Sequence, residues 1–125
     1  MNYFLDTHVV VWLYQKSLKL LSPKAIQAIE DNSISISPIV LLELEYLYEI
    51  GKIKTDSHTI LKYLKKKIGL KLDRSNFFKI INAALKEKWT RDPFDRIIVA
   101  HSKFRDTYLV TKDENISKHY SKIII

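Results

Sequence analysis

The stretch Ser33-Ile34-Ser35-Ile36-Ser37-Pro38-Ile39-Val40-Leu41-Leu42-Glu43-Leu44 carries the sequence from one kind of structure to another. Ser33–Ile36 reads as a strand. Ser37–Ile50 reads as a helix, with Ser37 placed to cap it, Pro38 at its first position and Gly51 to stop it. A strand followed at once by a helix is the repeating unit of a parallel α/β sheet.

The same alternation extends in both directions. Asn2–Leu5 reads as a short buried strand and Thr7–Gln15 as a helix, although the β-branched Val9, Val10 and Val11 weigh against the helix. Ser22–Asn32 opens with Ser22 as cap and Pro23 at the first helical position. Ser57–Ile68 carries Ile60, Leu61, Leu64 and Ile68 at helical spacing and ends at Gly69. Leu70–Leu72 reads as a third strand. Ser75–Lys88 reads as a helix with Phe77, Phe78, Ile81, Ala84 and Leu85 as its apolar face. The helix Asp92–Phe104, the strand Tyr108–Thr111, a short helix and a last strand at Lys122–Ile125 complete the chain. Right-handed crossovers then predict a three-layer α/β/α sandwich on a parallel sheet, mostly five-stranded, in one domain over residues 1–125. Ligands in such sheets sit beyond the carboxyl ends of the strands.

Composition narrows the chemistry. There are no cysteines, which excludes disulfides, zinc–thiolate sites and cysteine nucleophiles and accords with a reducing cytoplasm. No segment reaches the roughly 18 apolar residues of a membrane span, and the Val9–Tyr14 stretch lacks the basic flank of a signal peptide, so no membrane is expected. The formal charge of +7 attracts polyanions, nucleic acid among them. His8, His58, His101 and His119 lack a ligand-spaced pair and receive no role, apart from the nearness of His8 to Asp6.

The acids are more informative. Asp6 follows the first strand and Asp113 lies just past the strand Tyr108–Thr111, so both fall on the ligand edge; each also suits a helix N-cap. Glu43 interrupts an apolar run, with Ile39, Val40, Tyr46 and Leu47 as its helical neighbours, so it faces the core and needs a partner or a metal. Glu45 and Glu49 read as solvated. Asp92 and Asp95 open a helix three residues apart, as a capping pair would, but Asp95 shares an inward face with Ile98, Val99 and Ser102. Gathered on one edge, Asp6, Glu43, Asp95 and Asp113 repel one another and raise their proton affinities, which a divalent cation relieves. Hard cations held by acids in a basic protein suit phosphodiester cleavage. A binding or scaffold module is the competing class, and it has no need of four acids there.

The ordered motifs resemble the PIN-domain family, and its VapC-like toxin branch in particular. Tyr3-Phe4-Leu5-Asp6-Thr7-His8 is similar to the opening strand and first acid. Ser37–Leu44 followed by Gly51-Lys52-Ile53 is similar to the second motif, Asp92-Pro93-Phe94-Asp95-Arg96-Ile97-Ile98-Val99-Ala100 to the third and Leu109–Asp113 to the last. Thr90-Arg91 stands where that branch often has His-Arg. The resemblance implies a metal-dependent endoribonuclease acting on structured RNA such as tRNA or rRNA. Asp6, Glu43, Asp95 and Asp113 would be the catalytic acids, holding Mg²⁺ or Mn²⁺, with Asp92 and Thr111 as auxiliaries. It implies a cognate antitoxin whose tail enters the active groove, and a homodimer; a PIN nuclease of RNA maturation or DNA cleavage is the alternative. Among the basic residues, Arg96 is singled out to hold an RNA phosphate or else to pair with Asp92. The lysines of Ser57–Ile68 read as a solvated face.

Overall fold

The structure is a computed structural model that describes residues 1–125. The strands are β1 (Asn2–Leu5), β2 (Ser33–Ile36), β3 (Lys71–Leu72), β4 (Tyr108–Val110) and β5 (Ile123–Ile124). The helices are α1 (Thr7–Gln15), α2 (Pro23–Asp31), α3 (Ile39–Glu49), α4 (Ser57–Ile68), α5 (Phe77–Ala84), α6 (Pro93–Phe104) and α7 (Glu114–Ser117), with a 3-10 turn at Leu18–Leu20. All strands pair in parallel in the order β3-β2-β1-β4-β5. The chain winds outward from β1 to β2 and β3 on one side, then to β4 and β5 on the other. The switch point of the sheet therefore lies between β1 and β4, where Leu5 sits opposite Val110.

Consecutive residues on the central strands, Phe4 and Leu5 on β1 and Leu109 and Val110 on β4, are all at most 1% exposed. Side chains alternate between faces, so both faces of the sheet are covered, as the sandwich requires. Val9, Val10 and Val11 are buried in α1, so burial outweighs the β-branched penalty there.

Four local expectations fail. Ser37 does not cap α3, which begins after Pro38 with no side-chain cap; its hydroxyl instead meets His101 Nδ1 at 2.7 Å. Helix α5 is shorter than Ser75–Lys88. Asn76 caps it by accepting from Lys79 N, while Ser75 gives both its N–H and its hydroxyl to Asp73. The apolar face of α5 is also displaced. Ile80 and Ala84 are buried, whereas Phe77, Phe78 and Leu85 are 70%, 74% and 59% exposed. Glu45 is not a solvated residue either, since its carboxylate accepts the Ser57 N–H and hydroxyl at the start of α4.

Candidate active site

Asp6 ends β1 at the switch point, its own N–H given to Val110 O on β4. One of its carboxylate oxygens accepts the Thr7 N–H at 2.8 Å and caps α1; the other accepts the Thr111 hydroxyl at 2.6 Å. Thr111 Oγ1 in turn accepts the Asp113 N–H at 3.0 Å. Asp113 caps α7, with a single oxygen accepting from Asn115 N and Ile116 N. For both aspartates the cap is real, and it leaves the carboxylate on the ligand edge.

Glu43 is half-buried on α3, and no cation meets it. Its Oε1 accepts the Thr7 hydroxyl at 2.5 Å. Thr7 thus fastens α3 to the end of β1; the sequence pointed to it only as the residue beside Asp6. On α6, Asp92 is exposed and caps through Phe94 N and Asp95 N. In a reciprocal capping box Asp95 would accept the Asp92 N–H. Here the Thr90 hydroxyl accepts it at 3.1 Å, and Asp95 makes no side-chain hydrogen bond.

These placements bring Asp6, Glu43 and Asp113 within electrostatic reach of Asp95. Burial, then the charges of Asp92, Asp6, Asp113 and Glu43, push Asp95 up to about 7. Glu43 is raised first by burial and then by Asp6 and Asp92, against its bond from Thr7. Burial likewise raises Asp6 against its bonds from Thr111 and Thr7, with Asp113 adding to the rise. At Asp95, Glu43 and Asp6 desolvation is the leading cause, with repulsion from neighbouring acids behind it. No three Asp, Glu or His side chains stand close enough to form a ready-made metal cage. The donor set is nonetheless all oxygen, and a small hard cation is commonly held by one or two carboxylates with water completing its shell. In that sense the residues fit such an ion.

A cavity of about 210 Å³ opens at this edge, lined by Asp6, His8, Trp12, Lys112 and Asp113.

Arg96 does not pair with Asp92. Its Nε and Nη2 donate to Ala84 O, and Nη2 also to Leu85 O, so the guanidinium closes the C-terminal end of α5. Carbonyls left open at a helix end attract a cation there. His101, which has no ligand-spaced partner in the sequence, is 2% exposed and doubly bonded, to Ser37 and at 2.8 Å to Asp73. Asp73 also receives Arg105 Nε at 3.0 Å. The signal in the sequence was one histidine on the inner face of α6, and its partners lie far away along the chain.

The chain matches the family described as PIN domain over residues 3–122. It belongs to the PIN-domain family, a family of nucleases. Among solved structures it is similar to a chain in the crystal structure of VapBC2 from Rickettsia felis bound to a DNA fragment from their promoter. That match has a TM-score of 0.64 and 22% identity, over 99% of this chain and 96% of that one. A chain of DNA-bound VapBC from Salmonella typhimurium matches with a TM-score of 0.64 and 18% identity, over 98% and 95%. One from VapBC-1 of nontypeable Haemophilus influenzae matches with a TM-score of 0.63 and 17% identity, over 94% and 91%. At these identities the likeness is one of fold. A comparison with curated proteins finds no match. No helix is long and apolar enough to cross a membrane.

Proposed function

We propose that this chain is a metal-dependent endoribonuclease and the toxin component of a toxin–antitoxin pair, acting in the cytoplasm on structured RNA. The observation that carries the nuclease reading is Asp95: a carboxyl without a hydrogen bond, held at about 7 by burial and by the acids around it. Asp6, Glu43, Asp95 and Asp113 would hold Mg²⁺ or Mn²⁺, which when bound supplies an activated water and neutralises charge on the leaving oxygen. The chain's own part is orientation. Thr111 sets Asp6 and the Asp113 backbone, Thr7 sets Glu43, and the Asp92 cap sets the first turn of α6 below Asp95.

The toxin assignment leans on the fold shared with the VapBC complexes. A groove among α1, α2 and α4, walled by Leu13, Ile26, Ile29 and Tyr63 with Lys16, Lys67 and Glu30 at its edge, suits an amphipathic segment of an antitoxin. A homodimer would cover the exposed Leu42 and Tyr46 of α3, Ile50 just past its end, and Phe77 and Phe78 of α5.

Purified protein incubated with total RNA tests the activity. Cleavage with Mg²⁺ or Mn²⁺ that stops in excess EDTA and in Asp95→Asn is expected. Undiminished cleavage in EDTA would overturn the metal, and no cleavage of RNA under any metal would overturn the substrate.

A further inference from the structure

Trp12 has a placement that core packing does not exhaust. It lies one helical turn after His8 on α1, and the two rings are 6.2 Å apart and tilted by 45°. Trp12 packs against the hydrophobic core yet stays half exposed, and His8 is exposed. Both rings wall the cavity that holds Asp6 and Asp113. The fifth wall residue, Lys112, is exposed and takes part in none of the four ion pairs of the structure. A pocket with two carboxylates thus has an aromatic wall on one side and a free cation at its edge.

We infer that Trp12 and His8 form a stacking subsite for an unpaired nucleobase, with Lys112 on the neighbouring phosphate, so that the chain takes its nucleotide single-stranded. This rests on the nuclease reading above. A phosphodiester beside the acids, its charge met by Lys112 and by the divalent cation those acids would hold, would bring its own base within reach of the aromatic wall. In a duplex that base is stacked on both faces and offers none; in a loop or single strand it offers a full π-face. Indole suits the task because it is large, rigid and already anchored on the core, so little freedom is lost on binding. Lys112, a mobile point charge, suits a phosphate without reading sequence. The subsite accordingly selects for unpaired structure and tolerates every base.

Trp12 can report on itself. The chain has two tryptophans, and Trp89 lies elsewhere, stacked on His119 at 4.7 Å. In a Trp89→Phe, Asp95→Asn protein Trp12 is the sole indole and the strand is not cut. Titration with a single-stranded RNA hexamer in Mg²⁺ is expected to quench its emission saturably, and the same sequence as a duplex is not. Trp12→Ala should weaken hexamer binding about tenfold, measured with a labelled strand, and Trp12→Phe should recover most of that loss. Quenching by duplex equal to that by single strand would overturn the inference. So would hexamer binding that neither quenches Trp12 nor weakens in Trp12→Ala, and in that case the nuclease reading stands. Absence of binding by single-stranded RNA and DNA alike, together with no cleavage by the unmutated protein, would remove the nuclease reading and the subsite with it.

Discussion

Thr111 Oγ1 donates to Asp6 at 2.6 Å while accepting the Asp113 N–H at 3.0 Å, so one buried hydroxyl joins the first and last acids of the site. Thr111→Val keeps the shape and removes both bonds. Loss of a bond to a charged group, with the Asp6 oxygen left buried, should lower stability by about 1.5–3 kcal/mol in urea unfolding. Cleavage should fall with it even well below the melting temperature. Thr111→Ser should restore both. A Thr111→Val protein as stable and active as the parent would show that the bridge does nothing.

The raised Asp95 makes a signed prediction for pH. A carboxyl whose folded pKa, about 7, lies above its ordinary value near 3.8 stabilises the metal-free protein below that ordinary value. The contribution is lost as pH rises through about 7. His101 works in the opposite sense: burial lowers its pKa, so its contribution is present above 6.5 and lost as pH falls. The two are separated by difference. Metal-free Asp95→Asn should match the parent near pH 4 and melt higher than it at pH 8. Relief of charge belongs to Asp95, which forms no hydrogen bond, more than to Asp6, where Asp6→Asn also disturbs the Thr111 bond. Parallel melting curves from pH 4 to 8 would contradict the shift.

Arg96 should prove structural. Arg96→Ala frees two carbonyls at the end of α5 and should lower the melting temperature, with a cost of about 1–2 kcal/mol. RNA affinity of the folded protein, and its slope against salt, should stay unchanged. A slope reduced by about one unit would instead place Arg96 on a phosphate.

His101 joins the ends of β2 and β3 to α6. Bonds from Ser75 and His101 hold Asp73 below its ordinary value despite burial. Its carboxylate therefore accepts from Nε2–H, and Nδ1 accepts the Ser37 hydroxyl. His101→Leu strands the buried Ser37 hydroxyl and removes one bond from Asp73, which keeps Ser75 and Arg105, and should cost roughly 1–3 kcal/mol. His101→Gln, which offers both a donor and an acceptor, should recover more than half of that loss. Nitrogen NMR of the ring reads the tautomer directly, and a proton on Nδ1 at pH 8 would refute the assignment.

The exposed aromatics of α5 predict self-association. Phe78→Glu places a charge on the apolar face without disturbing the core, since Phe78 is 74% exposed. Light scattering at micromolar concentration should give a dimer for the parent and a monomer for the variant. A monomeric parent would leave that face to another partner.

Much of this molecule is written locally. The order and kind of its elements follow from apolar periodicity and from caps a few residues apart, such as Ser22 on Ala25 N and Asp92 on Asp95 N. The ligand edge follows as well, because Asp6 and Asp113 stand just past strands and Asp95 in the first turn of a helix. Family resemblance adds roles to the same acids. Tertiary structure alone decided which side chain answers which. Ser37 had the spacing of a cap, and only the fold brings His101 to it. Arg96 could reach Asp92 along one helix turn, but packing of α5 on α6 offers it open carbonyls. Phe77 and Phe78 have the helical spacing of a core face, yet Ile80 and Ala84 are the residues that face α6. Hydrogen bonds between distant segments depend on where the sheet places each strand end, and no local pattern encodes that position.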